Sequence, residues 1–152
     1  MSTPLYLANN FILKTLQESS REIISLSPMK LQKLIYFTYR DYMQTTDSPL
    51  FHEPICAWKY GPVVEVVYNH FKPFKASSID RFYRDSDDGV HILNESHDPI
   101  GDLINSVWNR YRRYNGIELS NITHRPGSAW YIAWTNFKQF LDNEDIKNER
   151  VE

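Results

Sequence analysis

Cysteine and glycine are scarce in this sequence, and each scarcity closes off a class of chemistry. One cysteine, Cys56, occurs in 152 residues, which excludes an internal disulfide and leaves no cysteine pair for a zinc site. Among five glycines there is neither a Gly-x-x-x-x-Gly-Lys loop nor a Gly-x-Gly-x-x-Gly turn, so nucleotide phosphates lack their usual backbone cradle. Cations are in no surplus either: 17 Lys and Arg against 19 Asp and Glu give a net charge of −2, whereas neutralising phosphates needs an excess of positive charge. No apolar run approaches the roughly 20 residues that span a bilayer, and no charged-then-apolar leader opens the chain between Met1 and Asn10. These absences lead to the expectation of a soluble, cytoplasmic-type protein in a reducing compartment, without cofactor or metal.

What is present is the composition of one globular domain. Hydrophobic residues make up 41% and charged residues 24%, outside the regime of disordered chains. A chain of this length buries roughly 70% of its unfolded surface in a single core. Leu5, Ala8, Phe11, Ile12, Thr15 and Leu16 recur at helical spacing and predict a helix over 4–18. Ser27 and Pro28 read as an N-cap and first-turn proline opening a second helix through Tyr42. Its stretch Leu34-Ile-Tyr-Phe-Thr-Tyr39 is apolar or aromatic almost all round, which predicts a central helix contacted on several sides. Residues 55–59 form a short strand or extended piece. Gly61 then supplies a positive φ, and Pro62 the first turn of a helix bearing Val63, Val66, Val67 and His70. Residues 79–83 and 90–93 flank the acidic turn Asp85–Gly89 as a hairpin. A strongly amphipathic helix runs from Pro99 to Tyr114 and ends at Gly116. Ile117–Thr123 makes a short helix, Ser128 caps another through Trp134, and residues 143–152 form a polar terminal helix or a fraying tail. The fold class is mainly α (α+β): a single-domain helical bundle over 1–152 with a small β-hairpin or short strands.

Candidate sites compete poorly with structural readings. His52, His70, His91, His97 and His124 show no metal-ligand spacing. Cys56 near His52 lacks an oxyanion motif and reads as a buried structural thiol. Ser128 near His124 lacks the Gly-x-Ser-x-Gly elbow of a hydrolase and reads as a helix cap. Nothing in the pattern indicates an enzyme. Arg110, Arg112 and Arg113, interleaved with Trp108, Tyr111 and Tyr114, form the one basic-aromatic cluster able to face a phosphate backbone. Cations near a helix C-terminus also complement its dipole. With the hairpin, that cluster permits an alternative reading as a phage-encoded, winged-helix-like DNA-binding regulator. Ten tyrosines and four tryptophans exceed what one small core readily hides, which predicts exposed rings of the kind that dominate protein interfaces.

Three separated stretches, Met29-Lys-Leu-Gln-Lys-Leu-Ile-Tyr-Phe37, Pro54-Ile-Cys-Ala-Trp-Lys-Tyr-Gly-Pro-Val63, and Leu119 through Trp130 with Thr123-His124 and Gly127-Ser-Ala-Trp130, occur in this order. Together they resemble the Panacea antitoxin domain, the family of SocA-like antitoxins and proteolytic adaptors and of phage-associated GepA-type proteins. The chain departs from its pattern at Ala129, where proline usually precedes the tryptophan. The resemblance implies a mainly helical domain that neutralises a cognate protein toxin by direct contact in a bacterial or prophage toxin–antitoxin system, with a role in phage defence, and that sometimes hands the toxin to a protease. For the contact surface the polar and aromatic neighbours of the motif residues are the candidates: Lys30, Lys33, Tyr36, Tyr39, Lys59 and Tyr60. Lys33, Tyr36, Tyr39 and Arg40 cannot all turn inward beside Leu31, Leu34, Ile35 and Thr38, so some are expected at the surface. Trp58 and Trp130 are expected as core anchors.

Overall fold

A computed structural model describes residues 3–93 and 99–150 of the chain; Met1, Ser2, residues 94–98 (His97 among them), Val151 and Glu152 lie outside the described residues. Thr3 accepts a hydrogen bond from Tyr6 N and starts α1 (Pro4–Glu18) at the expected position. Ser27 likewise accepts from Lys30 N at 3.2 Å and opens α2 (Pro28–Thr46). From Leu31 to Arg40 every side chain of α2 is buried. Such a helix is stable only when packed on all sides. The others are α3 (Glu65–Phe71), α4 (Pro99–Tyr111), α5 (Gly116–Thr123), α6 (Ala129–Thr135) and α7 (Asn143–Asn148). Of these, α3, α4, α5 and α7, together with α1, surround α2. The protein is therefore mainly α, with α2 as its centre. No described helix is long and apolar enough to cross a membrane.

The small sheet consists of β1 (Cys56–Trp58) and β2 (Gly61–Val63), antiparallel, with Trp58 opposite Gly61 and Cys56 opposite Val63. Gly61 has φ +118, and a Cβ there would lie 2.7 Å from Lys33 Cε and 2.8 Å from Thr123 Oγ1. Only glycine satisfies both the dihedral and the close approach. Pro62 belongs to the ladder, opposite Ala57, and does not open a helix as its sequence context suggested. The cause lies in α2: Gln32 Oε1 accepts from Val64 N (2.9 Å) and Gln32 Nε2 donates to Val64 O (3.1 Å), which holds Val64 extended and delays α3 to Glu65. The other edge of β1 is covered by residues 139–141, through Ala57 N to Gln139 O and Leu141 N to Ile55 O, both 2.9 Å.

Two further expectations are corrected. The acidic turn at Asp85–Gly89 forms, with Asp85 Oδ1 accepting from Asp87 N and Gly89 N, but no strands flank it. The backbone that would have paired across a hairpin is bound by α1 instead. Asn9 takes Tyr83 N, Tyr83 O and His91 O, while Asn10 takes Leu93 N and O. Gly116 is not a stop for α4, which ends at Tyr111; it lies in the first turn of α5, behind an Asn115–Glu118 capping box. A Cβ at Gly116 would meet Met29 Cβ at 3.0 Å, so glycine allows α5 to approach α2 closely.

The C-terminal segment is helical over Asn143–Asn148 and docked, with Ile146 and Glu149 buried. Glu149 Oε1 accepts from Tyr36 Oη (2.8 Å) and Ala129 N (2.9 Å), and Oε2 pairs with Arg40 Nη1 at 3.2 Å. Arg40 also lies over the Phe37 ring (4.7 Å), pairs with Asp41 (3.1 Å) and donates to Tyr111 Oη (3.3 Å). Removing one member of such a buried pair strands the other, at about 3–5 kcal/mol. Glu149→Ala should lower the stability measured by urea unfolding by about that amount, and the double variant Arg40→Met/Glu149→Met should recover a large part of it. Equal losses in the single and double variants would mean that the stranded charge is not the cause.

Candidate functional site

Of the six residues expected at the contact surface, four are interior. Lys30 (3% exposed), Lys33 (1%), Tyr36 (1%) and Tyr39 (4%) are buried, and Arg40 with them, so the expectation that part of this set must reach the surface is not met. Each polar end is met inside the fold. Lys30 Nζ donates to Arg112 O at 2.5 Å, closing the C-terminal turn of α4, and lies 5.7 Å from the centroid of the Trp108 ring. Tyr36 binds Glu149, and burial together with that carboxylate raises its phenol well above the usual range. Tyr39 donates to Asn143 Oδ1 at 2.8 Å and packs on Phe51. The helix face that looked free is the face that α7 covers. Lys59 and Tyr60, at the β1–β2 turn, are exposed.

The three sequence stretches meet around Lys33. Its amine reaches Pro62 O at 3.4 Å, and its stem lies against Gly61, which Thr123 Oγ1 also approaches. Ser120 Oγ donates to Tyr60 O (2.6 Å) and Trp130 Nε1 to Trp58 O (2.6 Å), tying α5 and α6 to the β-turn. His124 stacks against Trp130 at 3.9 Å between ring centroids, and its Nε2 has no hydrogen-bond partner among the described residues. Burial pushes the Lys33 amine down to about 7, and burial with the neighbouring Lys33 lowers His124. Burial also takes Lys30 down to about 8, against the pull of Glu118 and Glu18.

Beside this junction a solvent-open groove of about 440 Å³ runs between α2, the β-turn and α3. Its walls are apolar: Met29, Trp58, Val67, Tyr68 and Phe71, with Trp58 and Tyr68 edge to face at 4.9 Å. Lys33, Lys59, Lys72 and Lys75 line it, and no carboxylate does. Trp58 is thus a half-buried groove wall, whereas Trp130 is the core anchor expected. Of the six residues named from the sequence, Lys33, Lys59 and Tyr60 line this groove; Tyr68, Lys72 and Lys75, which also line it, were not among them. Only the aromatic-cationic run Tyr68 to Lys75 could have signalled them, and nothing local places that run opposite Met29.

The other candidates resolve structurally. Arg112 pairs with Glu18 (3.0 Å) and Glu22 (3.1 Å), Arg113 with Glu22 (3.1 Å) and Arg110 with Asp41 (3.4 Å). Against the cost of partial burial, hydrogen bonds from Trp108 and Arg112 hold the Glu18 carboxyl below its usual range. Cys56 is buried, and burial with the nearby Glu65 carboxylate pushes its thiol up to about 11, leaving it protonated at neutral pH. Ser128 caps α6, accepting from Tyr131 N at 3.0 Å.

Lys33 of the buried helix, the glycine turn and the Thr123-His124 pair all fall within the stretch that a family comparison matches. The model of the SocA-like antitoxin family, Panacea domain, matches residues 31–131, and the chain belongs to that family. It is 30% identical over 113 residues to Antitoxin SocA of Caulobacter vibrioides (strain NA1000 / CB15N), a match covering 72% of this chain and 60% of the relative. The chain thus spans less than two thirds of that relative's length. No solved structure matches it.

The low value at Lys33 has a definite consequence for stability. Between a folded value near 7 and the ordinary 10.5, the unfolded chain binds a proton that the folded chain does not. Stability therefore rises with pH across that window, by at most about 1.4 kcal/mol per unit. Lys33→Met should remove this slope and be relatively more stable at the acidic end, as read from urea unfolding at a series of pH values from about 6 to about 10. Parallel stability curves for the two proteins would show that the amine is not held neutral.

Proposed function

We propose that this protein is an antitoxin that neutralises a cognate protein toxin by direct contact, as one half of a bacterial or prophage toxin–antitoxin pair, and that the contact is made at the groove bordered by Lys59 and Tyr60. The observation that carries the reading is that two of the three stretches of the family pattern line one open, apolar groove, while the third holds the β-turn beside it through Ser120 and Trp130. Membership of the SocA-like antitoxin family supports it, as does the relative named Antitoxin SocA. Exposed Tyr60, 57% accessible, offers the rigid amphipathic area that interface anchors use. The alternative of a DNA-binding regulator loses support from the ion pairs of Arg110, Arg112 and Arg113, since guanidinium groups already bound to carboxylates release few phosphate counterions. Delivery of the toxin to a protease, which the resemblance allows, is a separable step; inhibition by contact needs no protease and should be reproduced with two purified proteins.

The product of the adjacent open reading frame, expressed alone and with this protein, tests the reading. Growth should stop in the first case and recover in the second. Tyr60→Ala and Lys59→Glu should lose rescue while melting within a degree or two of wild type, because both side chains are exposed. Leu34→Ala should lose rescue and stability together, at about 2–5 kcal/mol, because it opens a cavity in the core. A neighbour equally toxic with and without this protein removes the antitoxin reading for that pair.

A further inference from the structure

We infer that the groove receives an acidic segment of the partner, with one apolar side chain inserted between Trp58, Val67 and Tyr68 and its flanking carboxylates paired with Lys59, Lys72 and Lys75. The inference rests on the direct-contact reading above and names the chemistry of what is contacted.

Volume is the first argument. At about 440 Å³ the groove is within the range of roughly 300–1,000 Å³ that encloses a small ligand, so it holds one or two large side chains and not a folded surface. Its apolar walls favour an aliphatic or aromatic anchor, since apolar area removed from water contributes roughly 25 cal/mol per Å².

Charge is the second argument. On a chain of net charge −2, four lysines line one groove that no carboxylate enters. None of the four is in an ion pair among the described residues; Lys59 and Lys72 instead stand over the Tyr60 and Tyr68 rings, at 5.5 and 5.9 Å. At the inner end, the buried Lys33 amine has one long bond to Pro62 O and a donor to spare. Uncompensated cations around an apolar slot are complementary to carboxylates that flank an apolar residue.

Two features favour a peptide over single-stranded nucleic acid. The Trp58 and Tyr68 rings meet at 79°, so they offer no flat platform on which successive bases could stack. The chain as a whole carries a net charge of −2, without the cationic surplus that follows a phosphate backbone.

The test uses the full chain and the purified product of the adjacent open reading frame. Lys59→Glu/Lys72→Glu/Lys75→Glu should weaken binding about tenfold or more, because like charges would then face each other. The corresponding Gln triple should weaken it less, and a control with Arg84→Glu and Lys138→Glu should bind as wild type. Thermal melts of all three keep folding defects apart from contact defects, and the Gln triple carries the test should the Glu triple not fold. A photo-crosslinker, Tyr60→p-benzoylphenylalanine, should attach to a partner segment with Asp or Glu on either side of an apolar residue. Both triples binding like wild type, or a crosslink to a neutral or basic segment, overturns the inference while leaving direct contact standing. Failure of the wild-type protein to bind overturns the reading beneath it as well. Tight binding of a short single-stranded oligonucleotide, lost in the Glu triple, would assign the groove to nucleic acid and overturn the peptide.

Discussion

A helix buried on every side must find a partner for each polar side chain it carries, and α2 carries many: Lys30, Gln32, Lys33, Tyr36, Thr38, Tyr39, Arg40 and Gln44. An unpaired polar group in the interior costs about 1–3 kcal/mol, and a charge more. Satisfying this helix therefore directs where the rest of the chain docks. Lys30 fixes the end of α4 through Arg112 O, Gln32 fixes the entry to α3 through Val64, and Tyr36 with Arg40 fixes Glu149. Gln44 adds hydrogen bonds to the carbonyls of Ile146 and Glu149, closing α7 over the same face. Glu149 in turn binds the first amide of α6, so a single carboxylate joins three helices.

Lys33 is the exception in this set. Its one bond is long, its amine is driven toward neutrality by burial, and it lies at the floor of a groove whose walls are largely apolar and which no carboxylate lines. A core chosen for stability alone would place a methionine there. Around it the β-turn is held in place by the hydrogen bonds of Ser120 to Tyr60 O and of Trp130 to Trp58 O.

The distribution of cations follows the same division. Arg110 in α4 pairs with Asp41 of α2, and Arg112 and Arg113 just beyond α4 pair with Glu18 at the end of α1 and with Glu22. Lys59 and Lys72 of the groove are exposed and stand over the Tyr60 and Tyr68 rings. Arginine's planar fork suits fixed carboxylates inside one molecule, whereas a lysine on a flexible stem remains available to a charge that arrives from another.

Local chemistry was legible in the sequence because its partners lie within a few residues. Thr3, Ser27 and Ser128 each cap an amide three residues on, Gly61 takes the positive φ that its Tyr-Gly-Pro context suggests, and the helices they begin are found where they were expected. Apart from Gly116, whose capping box is local, the errors involve partners far along the chain. Residues 79–93 look like a hairpin until Asn9 and Asn10, more than 70 residues earlier, take the backbone groups that a second strand would have used. Pro62 looks like a helix start until Gln32 holds Val64 extended. Tyr36 and Tyr39 look like a surface stripe until Glu149 and Asn143, more than 100 residues later, take their hydroxyls. The sequence by itself determined most of the helices, the caps at Ser27 and Ser128, and the family. The tertiary structure alone decided which polar side chains were buried and where the lysine-lined groove opened, because a helix face is inside or outside only by virtue of what another segment lays against it.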